Sequence, residues 1–239
     1  MRHIPNFITS LNLASGFISI IFILNGDINT ASWLILLAMM FDFLDGFSAR
    51  TLKAYSEIGK ELDSLADIVS FGVAPGLIIY YLLHASFSPV SKAGFCVFGH
   101  SSLIFLLISA IMPVCAALRL AIFNTDTTQT TSFKGLPTPA NALAVISIVL
   151  GGYYSGSAFL TSFMTSPISL IILSLSLSVL MVTRIPLLSL KFKNLKIKGN
   201  EGRYVLIVLC AIMILVFGIG SITGIIPAYI IVSLLFLLF

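Results

Sequence analysis

Charged side chains are scarce in this sequence. Of its 239 residues, 9% are Asp, Glu, Lys or Arg, while 58% are hydrophobic. Soluble domains carry about 25% charged residues, so the composition argues against a soluble protein and indicates a membrane protein. Cysteine is also scarce: Cys96, Cys115 and Cys210 are odd in number and lie in or beside apolar segments. They are expected to be small core residues rather than a disulfide or metal framework.

Long polar stretches are missing, and apolar runs fill nearly the whole chain. A transmembrane helix needs about 20 mostly apolar residues. The runs that meet this requirement are 6–26, 30–52, 60–83, 101–123, 138–157, 167–185, 203–221 and 224–239. Too little chain remains for a separate soluble domain. The sequence therefore predicts an all-α fold, a polytopic membrane helical bundle of about eight transmembrane helices in one domain, 1–239.

Lys and Arg residues concentrate on one side of this arrangement. Cytoplasmic loops of membrane proteins are enriched in them. One side holds Arg2, Arg50, Lys53, Lys60, Arg119, Lys134, Arg184, Lys191, Lys193, Lys196, Lys198 and Arg203, and the other holds Lys92. This predicts a multi-pass protein of the cell membrane with both termini cytoplasmic. The same bias explains most of the net charge of +4, although the basic run 190–203 could also contact anionic lipid head groups. Nucleic-acid binding is not supported.

Four aspartates lie inside the second and third apolar runs, where charge is unfavourable. An Asp near the bilayer centre costs about 2.5–3.5 kcal/mol on insertion. Asp42 and Asp45 are three residues apart and Asp63 and Asp67 are four apart, so each pair shares one helix face. The pairs are nearly symmetric about residue 54. An antiparallel hairpin therefore brings them to matching depth, roughly 10–20 Å along each helix from the turn.

These clustered carboxylates need a cation, because like charges repel at close range. Oxygen-only ligands without a nearby His or Cys favour Mg²⁺ or Mn²⁺ over zinc. Such ions commonly serve phosphate chemistry. A divalent-cation transporter also has aspartates in the membrane, but it should carry acidic residues along a path between both faces. Here they lie on one hairpin near one side, which favours an enzyme.

Small and basic residues accompany the first aspartate pair. Gly46 and Ala49 lie near the face of the carboxylates, so a flat ligand could approach the backbone there. A close helix–helix contact is the alternative explanation for Gly46. Arg50 could be a counter-ion of the carboxylates or a clamp for phosphate.

The residues from Asp42 to Asp67 match the pattern D-x2-D-G-x2-A-R-x8-G-x3-D-x3-D at all eight fixed positions. This pattern is identified as the signature of CDP-alcohol phosphatidyltransferases. Three further segments, 4–9, 118–124 and 133–140, resemble the membrane-integral phosphatidylserine synthases of that family. The resemblance implies transfer of a phosphatidyl group from CDP-diacylglycerol to an alcohol, with release of CMP.

The resemblance also implies roles for individual residues. Two divalent cations, Mg²⁺ or Mn²⁺, would be held by Asp42, Asp45, Asp63 and Asp67. Asp67 would also be the catalytic general base. The CDP site would be lined by Gly46, Ala49, Arg50 and Gly59. The family further implies a homodimer, a six-helix core over about 1–185 and two additional C-terminal transmembrane helices over about 186–239.

The acceptor side of the site is expected on the cytoplasmic side, with the active site facing the cytoplasm. The polar candidates there are Arg119, Asn124, Lys134 and Thr138. Arg119 or Lys134 could bind the carboxylate of L-serine, although topology alone also explains Lys134. The resemblance favours L-serine, with glycerol 3-phosphate or an inositol phosphate as alternatives. Ile122 departs from related sequences, which often have Arg there. CDP-diacylglycerol, L-serine and membrane lipids are thus the expected partners.

Overall fold

The computed structural model describes residues 3–87, 100–125, 133–188 and 200–238, and most of them are helical. The helices are α1 (Ile4–Leu24), α2 (Ile28–Thr51), α3 (Glu57–Asp67), α4 (Ala74–Phe87), α5 (His100–Thr125), α6 (Thr138–Tyr154), α7 (Ala158–Thr165), α8 (Pro167–Val182), α9 (Glu201–Phe217) and α10 (Ile225–Leu238). A π-helical turn (Ile68–Val73) joins α3 to α4, and a 3₁₀ segment (Gly218–Gly224) joins α9 to α10. Two short strands, β1 (Phe133–Lys134) and β2 (Pro186–Leu187), pair antiparallel. The predicted helical fold is confirmed.

Four helices of the described chain are long and apolar enough to cross a membrane. They are Ile4–Leu24, Ile28–Thr51, Glu57–Phe87 and Leu103–Thr125. The pair α7 and α8, bent by 81° at a short break, adds a fifth span if it crosses as one unit. The protein is therefore a helical membrane protein with four to five candidate spans. The count of eight and the cytoplasmic termini stay predictions.

Part of the topological prediction falls outside the described residues. This applies to Arg2, Lys92, Lys191, Lys193, Lys196 and Lys198, and also to Cys96. The other two cysteines, Cys115 and Cys210, are free thiols on partly buried helix positions. The expectation that these two are small residues of the helix packing is confirmed.

The third span continues through Ala74-Pro75-Gly76, where the sequence offers either a bend that opens a lipid groove or a packing kink. It forms one helical run from Glu57 to Phe87 with a π turn just before Pro75. Pro75 has no amide hydrogen to donate to the carbonyl oxygen of Phe71, four residues earlier. Asn141 Nδ2 of α6 donates to that oxygen instead, at 3.1 Å. The Phe71 carbonyl oxygen is therefore paired despite the proline, and its hydrogen bond with Asn141 ties the span to α6.

Helix α1 separates the two helices that carry the aspartates. It packs extensively against α2 and also against α3 and the π turn, whereas α2 and α3 make few direct contacts. A Cβ atom at Gly16 would lie 2.2 Å from Ser70 Oγ, so glycine permits this close approach. Ser70 Oγ in turn donates to the Asn12 carbonyl oxygen at 3.1 Å. The result is a cleft between α2 and α3, with α1 as its floor.

The opposite end of α2 carries polar and aromatic residues of a different kind. Asp27 caps the helix by accepting from the Thr30 amide at 2.9 Å, and its hydrogen bonds to Thr30 hold the pKa of Asp27 below its ordinary value. Trp33 Nε1 and Asn29 Nδ2 both donate to the Tyr154 hydroxyl at 3.3 Å. Trp and Tyr are enriched where membrane helices meet water. This end therefore has the character of a membrane interface, and its acidic residue is a helix cap.

Candidate active site

Three of the four aspartates converge across the cleft. Carboxylate oxygens of Asp42 from α2 and of Asp63 and Asp67 from α3 all lie within 4.8 Å of one another. The spacing of each pair on one helix face and their symmetry about the turn explain this convergence. The predicted hairpin cluster is thus confirmed as a spatial arrangement of these three residues.

Asp45 lies beside this group rather than within it. It is buried, with 6% of its surface exposed, and it lines the same cavity as Asp63. Asp45 Oδ2 and Asp63 Oδ1 are buried oxygens without a hydrogen-bond partner among the described residues. Buried carboxylate oxygens in this state call for a cation or a donor. The donor set is therefore suited to hard divalent ions held by oxygen ligands.

A cavity of about 360 Å³ opens next to Asp45 and Asp63. Its lining includes every residue that the sequence assigns to the CDP site, namely Gly46, Ala49, Arg50 and Gly59. Arg50 is exposed, and its Nε donates to the carbonyl oxygen of Gly46 at 2.9 Å. The side chain is thereby folded back along α2 at the mouth of the cavity.

The two glycines of the cavity differ in their surroundings. A Cβ atom on Gly46 would have only Arg50 Nη2 nearby, at 3.6 Å, so the backbone there faces open space. A Cβ atom on Gly59 would lie 2.8 Å from Asn6 Oδ1 and 2.9 Å from Ser56 Oγ. Gly46 therefore leaves room for a ligand, whereas Gly59 permits close packing of α3 against its cap and against α1.

Asp67 occupies a buried corner at the other side of the cluster. Asn12 Nδ2 of α1 donates to its Oδ1 at 3.4 Å, and Thr138 Oγ1 of α6 donates to its Oδ2 at 3.5 Å. Arg119 of α5 is 8% exposed and interacts electrostatically with the Asp67 carboxylate. Its guanidinium carbon lies 5.9 Å from the ring centre of Phe123. Of the predicted acceptor residues, Thr138 thus contacts Asp67 and Arg119 lies within electrostatic range of it.

The other two predicted acceptor residues lie elsewhere. Asn124 Nδ2 donates to Ser64 Oγ at 2.8 Å, and its carbonyl oxygen accepts from Lys60 Nζ at 3.1 Å. Asn124 therefore ties the end of α5 to α3, one turn from Asp63 and Asp67. The backbone of Lys134 belongs to β1, and its side chain lies outside the described part of the structure.

Comparison with known proteins agrees with this geometry. The family model described as CDP-alcohol phosphatidyltransferase matches residues 2–181. The chain belongs to the CDP-alcohol phosphatidyltransferase family. Members of this family generally depend on divalent metal ions, and the Asp42, Asp63 and Asp67 cluster fits that requirement.

Curated relatives include several transferases named for serine. The archaetidylserine synthase of Methanothermobacter thermautotrophicus is 36% identical over 154 residues, 64% of this chain and 60% of the relative. The CDP-diacylglycerol–serine O-phosphatidyltransferase of Helicobacter pylori is 36% identical over 148 residues, 61% of this chain and 56% of the relative. These matches span less than two thirds of each relative. The Bacillus subtilis protein of the same name is 32% identical over 202 residues, 84% of this chain and 96% of the relative.

Some residues of this CDP-alcohol phosphatidyltransferase site escape the signature pattern. Asn12, which contacts Asp67, is fully buried inside the first apolar helix. A buried amide in an apolar span is itself a signal of function, by the same rule that singles out the aspartates. Other polar cavity residues that the sequence does not assign are Asn6, Thr9, Tyr55, Ser56 and Lys60. They come from α1, the α2–α3 turn and α3, and only the fold brings them together.

Proposed function

We propose that this protein transfers a phosphatidyl group from CDP-diacylglycerol to the hydroxyl of L-serine, forming phosphatidylserine and releasing CMP. The observation that carries the proposal is the carboxylate cluster of Asp42, Asp63 and Asp67 between an open cavity and a buried cationic corner. Family membership supports the phosphatidyl transfer, and the names of the relatives support serine as the acceptor.

The donor is assigned to the open cavity. Arg50 and Lys60 line it and supply positive charge for the pyrophosphate, while the space above Gly46 admits a flat group against the backbone. Asp42, Asp45, Asp63 and Asp67 would hold two divalent ions, Mg²⁺ or Mn²⁺. When bound, these ions neutralise charge on the pyrophosphate and on the departing CMP. The acyl chains remain in the surrounding membrane lipid.

The acceptor is assigned to the corner at Asp67. Arg119 binds the serine carboxylate through two parallel hydrogen bonds, a geometry that suits a guanidinium better than an ammonium. Asp67 takes the proton of the serine hydroxyl while the serine oxygen forms a bond to the phosphorus of the phosphatidyl group. The bond from that phosphorus to the CMP oxygen breaks, and CMP leaves with the electron pair. Thr138 and Asn12 orient the Asp67 carboxylate for this step.

Charge in the acceptor corner favours serine over a phosphorylated alcohol. A phosphate monoester carries about two negative charges and needs several cationic partners. Arg119 supplies one buried cation at Asp67, which matches a single carboxylate. Lys134 remains the second choice for this clamp. Asn124 supports the corner from α5 through its contacts with Ser64 and Lys60.

The distribution of acidic residues favours an enzyme over a cation transporter. A transport path needs polar ligands between both faces of the membrane. In the described chain, the aspartates of α2 and α3 gather toward one end of these helices, and Asp27 at the far end of α2 serves as a helix cap. This arrangement is that of one localised site rather than of a path across the membrane.

The position of the protein in the membrane follows from the same proposal. We place the site at the cytoplasmic face of the cell membrane, where CDP-diacylglycerol and serine meet, in a multi-pass protein whose termini are both cytoplasmic. The six-helix core over about 1–185, the two additional spans over about 186–239 and a homodimer are part of this proposal.

The decisive experiment measures CMP release from CDP-diacylglycerol by the purified protein in lipid discs. L-serine, glycerol 3-phosphate and an inositol phosphate are supplied one at a time with added Mg²⁺ or Mn²⁺. We expect release with serine and formation of phosphatidylserine. Release with a phosphorylated alcohol but not with serine would overturn the acceptor assignment and leave the transfer chemistry intact. Absence of release with every acceptor would overturn both.

A further inference from the structure

Helix α10 lies beyond residues 2–181, the part of the chain that the family model matches, yet it packs against strand β2 near the acceptor corner. Tyr229 of α10 is buried, and its hydroxyl donates to the carbonyl oxygen of Leu188 at 2.9 Å. Ser233, fully buried one turn later, accepts from the amide of Leu188 at 3.2 Å. Helix α10 therefore forms hydrogen bonds with both the backbone carbonyl oxygen and the backbone amide of Leu188.

Leu188 is the first residue after strand β2, and the strand pair leads to the site. β2 pairs with β1, and the Gly135 and Leu136 amides then donate to the carbonyl oxygens of Ile185 and Leu180, each at 2.9 Å. Gly135 has a φ of +80°, and a Cβ atom there would lie 2.6 Å from two carbonyl oxygens. This connection is thus tightly constrained. It delivers Thr138, the first residue of α6, to Asp67.

Tyr229 also lies within electrostatic range of the acceptor corner. It interacts electrostatically with the guanidinium of Arg119, the residue that in turn interacts with Asp67. Arg119 Nε has no hydrogen-bond partner among the described residues, so few contacts of this buried side chain fix its orientation. α10 is therefore connected to the acceptor corner through the strand pair and Thr138, and Tyr229 lies within electrostatic range of Arg119.

We infer that Tyr229 and Ser233 are positioning residues of the acceptor site, acting through Leu188 and the strand pair. This inference rests on the proposed function, because it assigns α10 to the acceptor half of that same site. Small displacements of a group that orients a reactant reduce turnover strongly. The donor cavity is lined by residues of α1, α2, α3 and the turn between α2 and α3, with none from α10. Loss of the α10 contacts is therefore expected to affect the acceptor and spare the donor.

The test compares Tyr229→Phe and Ser233→Ala with Val232→Ala. Val232 is a buried neighbour on α10, so its truncation loosens packing but keeps both hydrogen bonds to Leu188. We expect Tyr229→Phe and Ser233→Ala each to raise the acceptor KM roughly 3- to 10-fold, the range that loss of one hydrogen bond produces. The KM for CDP-diacylglycerol should stay within about twofold. Val232→Ala should leave both KM values near wild type, even if its melting temperature falls as much as those of Tyr229→Phe and Ser233→Ala.

A second measurement does not depend on turnover. Hydrogen exchange of the peptide that contains Gly135 and Leu136 should quicken in Tyr229→Phe and Ser233→Ala, and stay near wild type in Val232→Ala. Unchanged exchange together with an unchanged acceptor KM would overturn the inference, as would equal effects of all three variants. The kinetic arm uses whichever alcohol supports CMP release by the wild type. A wrong serine assignment would therefore show in the acceptor that the wild type uses. A wrong role for α10 would show in the acceptor KM and the hydrogen exchange of the variants.

Discussion

The two sides of the carboxylate cluster differ in openness. On the donor side, a cavity of about 360 Å³ is lined by the exposed side chains of Arg50, Tyr55 and Lys60. On the acceptor side, Asp67 and Arg119 are 7% and 8% exposed and Thr138 is fully buried. The proposed function assigns the large charged nucleotide head group to the open side and the small polar acceptor to the buried one.

The difference in exposure between the two sides indicates how strongly substitutions on each side should affect activity. Electrostatic interactions are screened at an exposed surface and strengthen as the surroundings become less polar. Single side chains of the buried corner should therefore have large effects on the chemical step and on the acceptor. Single side chains of the open cavity should have smaller effects, mostly on donor binding. The carboxylates shared by both sides should be the most sensitive of all.

The largest effect is expected where the two sides meet. Replacing Asp42 or Asp63 by Asn removes a charged oxygen from the cluster, and turnover should fall on the order of 100- to 1,000-fold. Chelation of divalent ions should abolish CMP release, and added Mg²⁺ or Mn²⁺ should restore it in the wild type. Full activity in metal-free buffer would contradict the assignment of these aspartates as metal ligands.

The second prediction separates Asp67 from Asp45. Asp67→Asn should lower kcat on the order of 100-fold, because it removes the base, while CDP-diacylglycerol still binds. Asp45→Asn should weaken donor binding as well as turnover, since Asp45 lines the donor cavity. Binding of the CDP-lipid and single-turnover rates report the two quantities separately. Equal donor affinity and equal residual rates in the two variants would end the assignment of Asp67 as the base.

The third prediction concerns the buried cation. Arg119→Gln should lower kcat/KM for serine roughly 10- to 150-fold, the effect of losing a charged hydrogen bond of about 1.5–3 kcal/mol. The KM for CDP-diacylglycerol should change less. Arg119→Lys keeps the charge but loses the two-pronged geometry, so its effect should be intermediate. If Arg119→Gln raised the donor KM instead, Arg119 would belong to the donor side.

The smallest effect is expected on the open side, where two glycines form a matched pair. Gly46→Ala places a methyl group into free space, so stability should hold while the KM for CDP-diacylglycerol rises roughly 10-fold. Gly59→Ala meets Asn6 and Ser56 below 3 Å, so the melting temperature should fall. Thermal unfolding and donor KM are measured for both. An unchanged donor KM in Gly46→Ala would mean that the space above Gly46 does not take the ligand.

Much of the donor side could be predicted from local sequence. Asp42, Asp45, Asp63 and Asp67 stand out because charge in an apolar run is unfavourable, and their helical spacing orients each pair. The residues predicted to line the CDP site do line one cavity. Their roles remain predictions, as do the eight spans and the cytoplasmic termini. The aspartates and the predicted CDP-site residues lie close together because the connection between α2 and α3 is short.

The sequence alone determined the helical membrane character, the cluster of carboxylates and the family, because composition, helical periodicity and a short motif are local properties. Only the tertiary structure decided that α1 lies between α2 and α3, so that Asn12 reaches Asp67. It also decided that Thr138 contacts Asp67 and that Arg119 lies within electrostatic range of Asp67 and Tyr229. Their packing depends on contacts between residues more than 50 positions apart in sequence, and no local pattern records which helix faces meet.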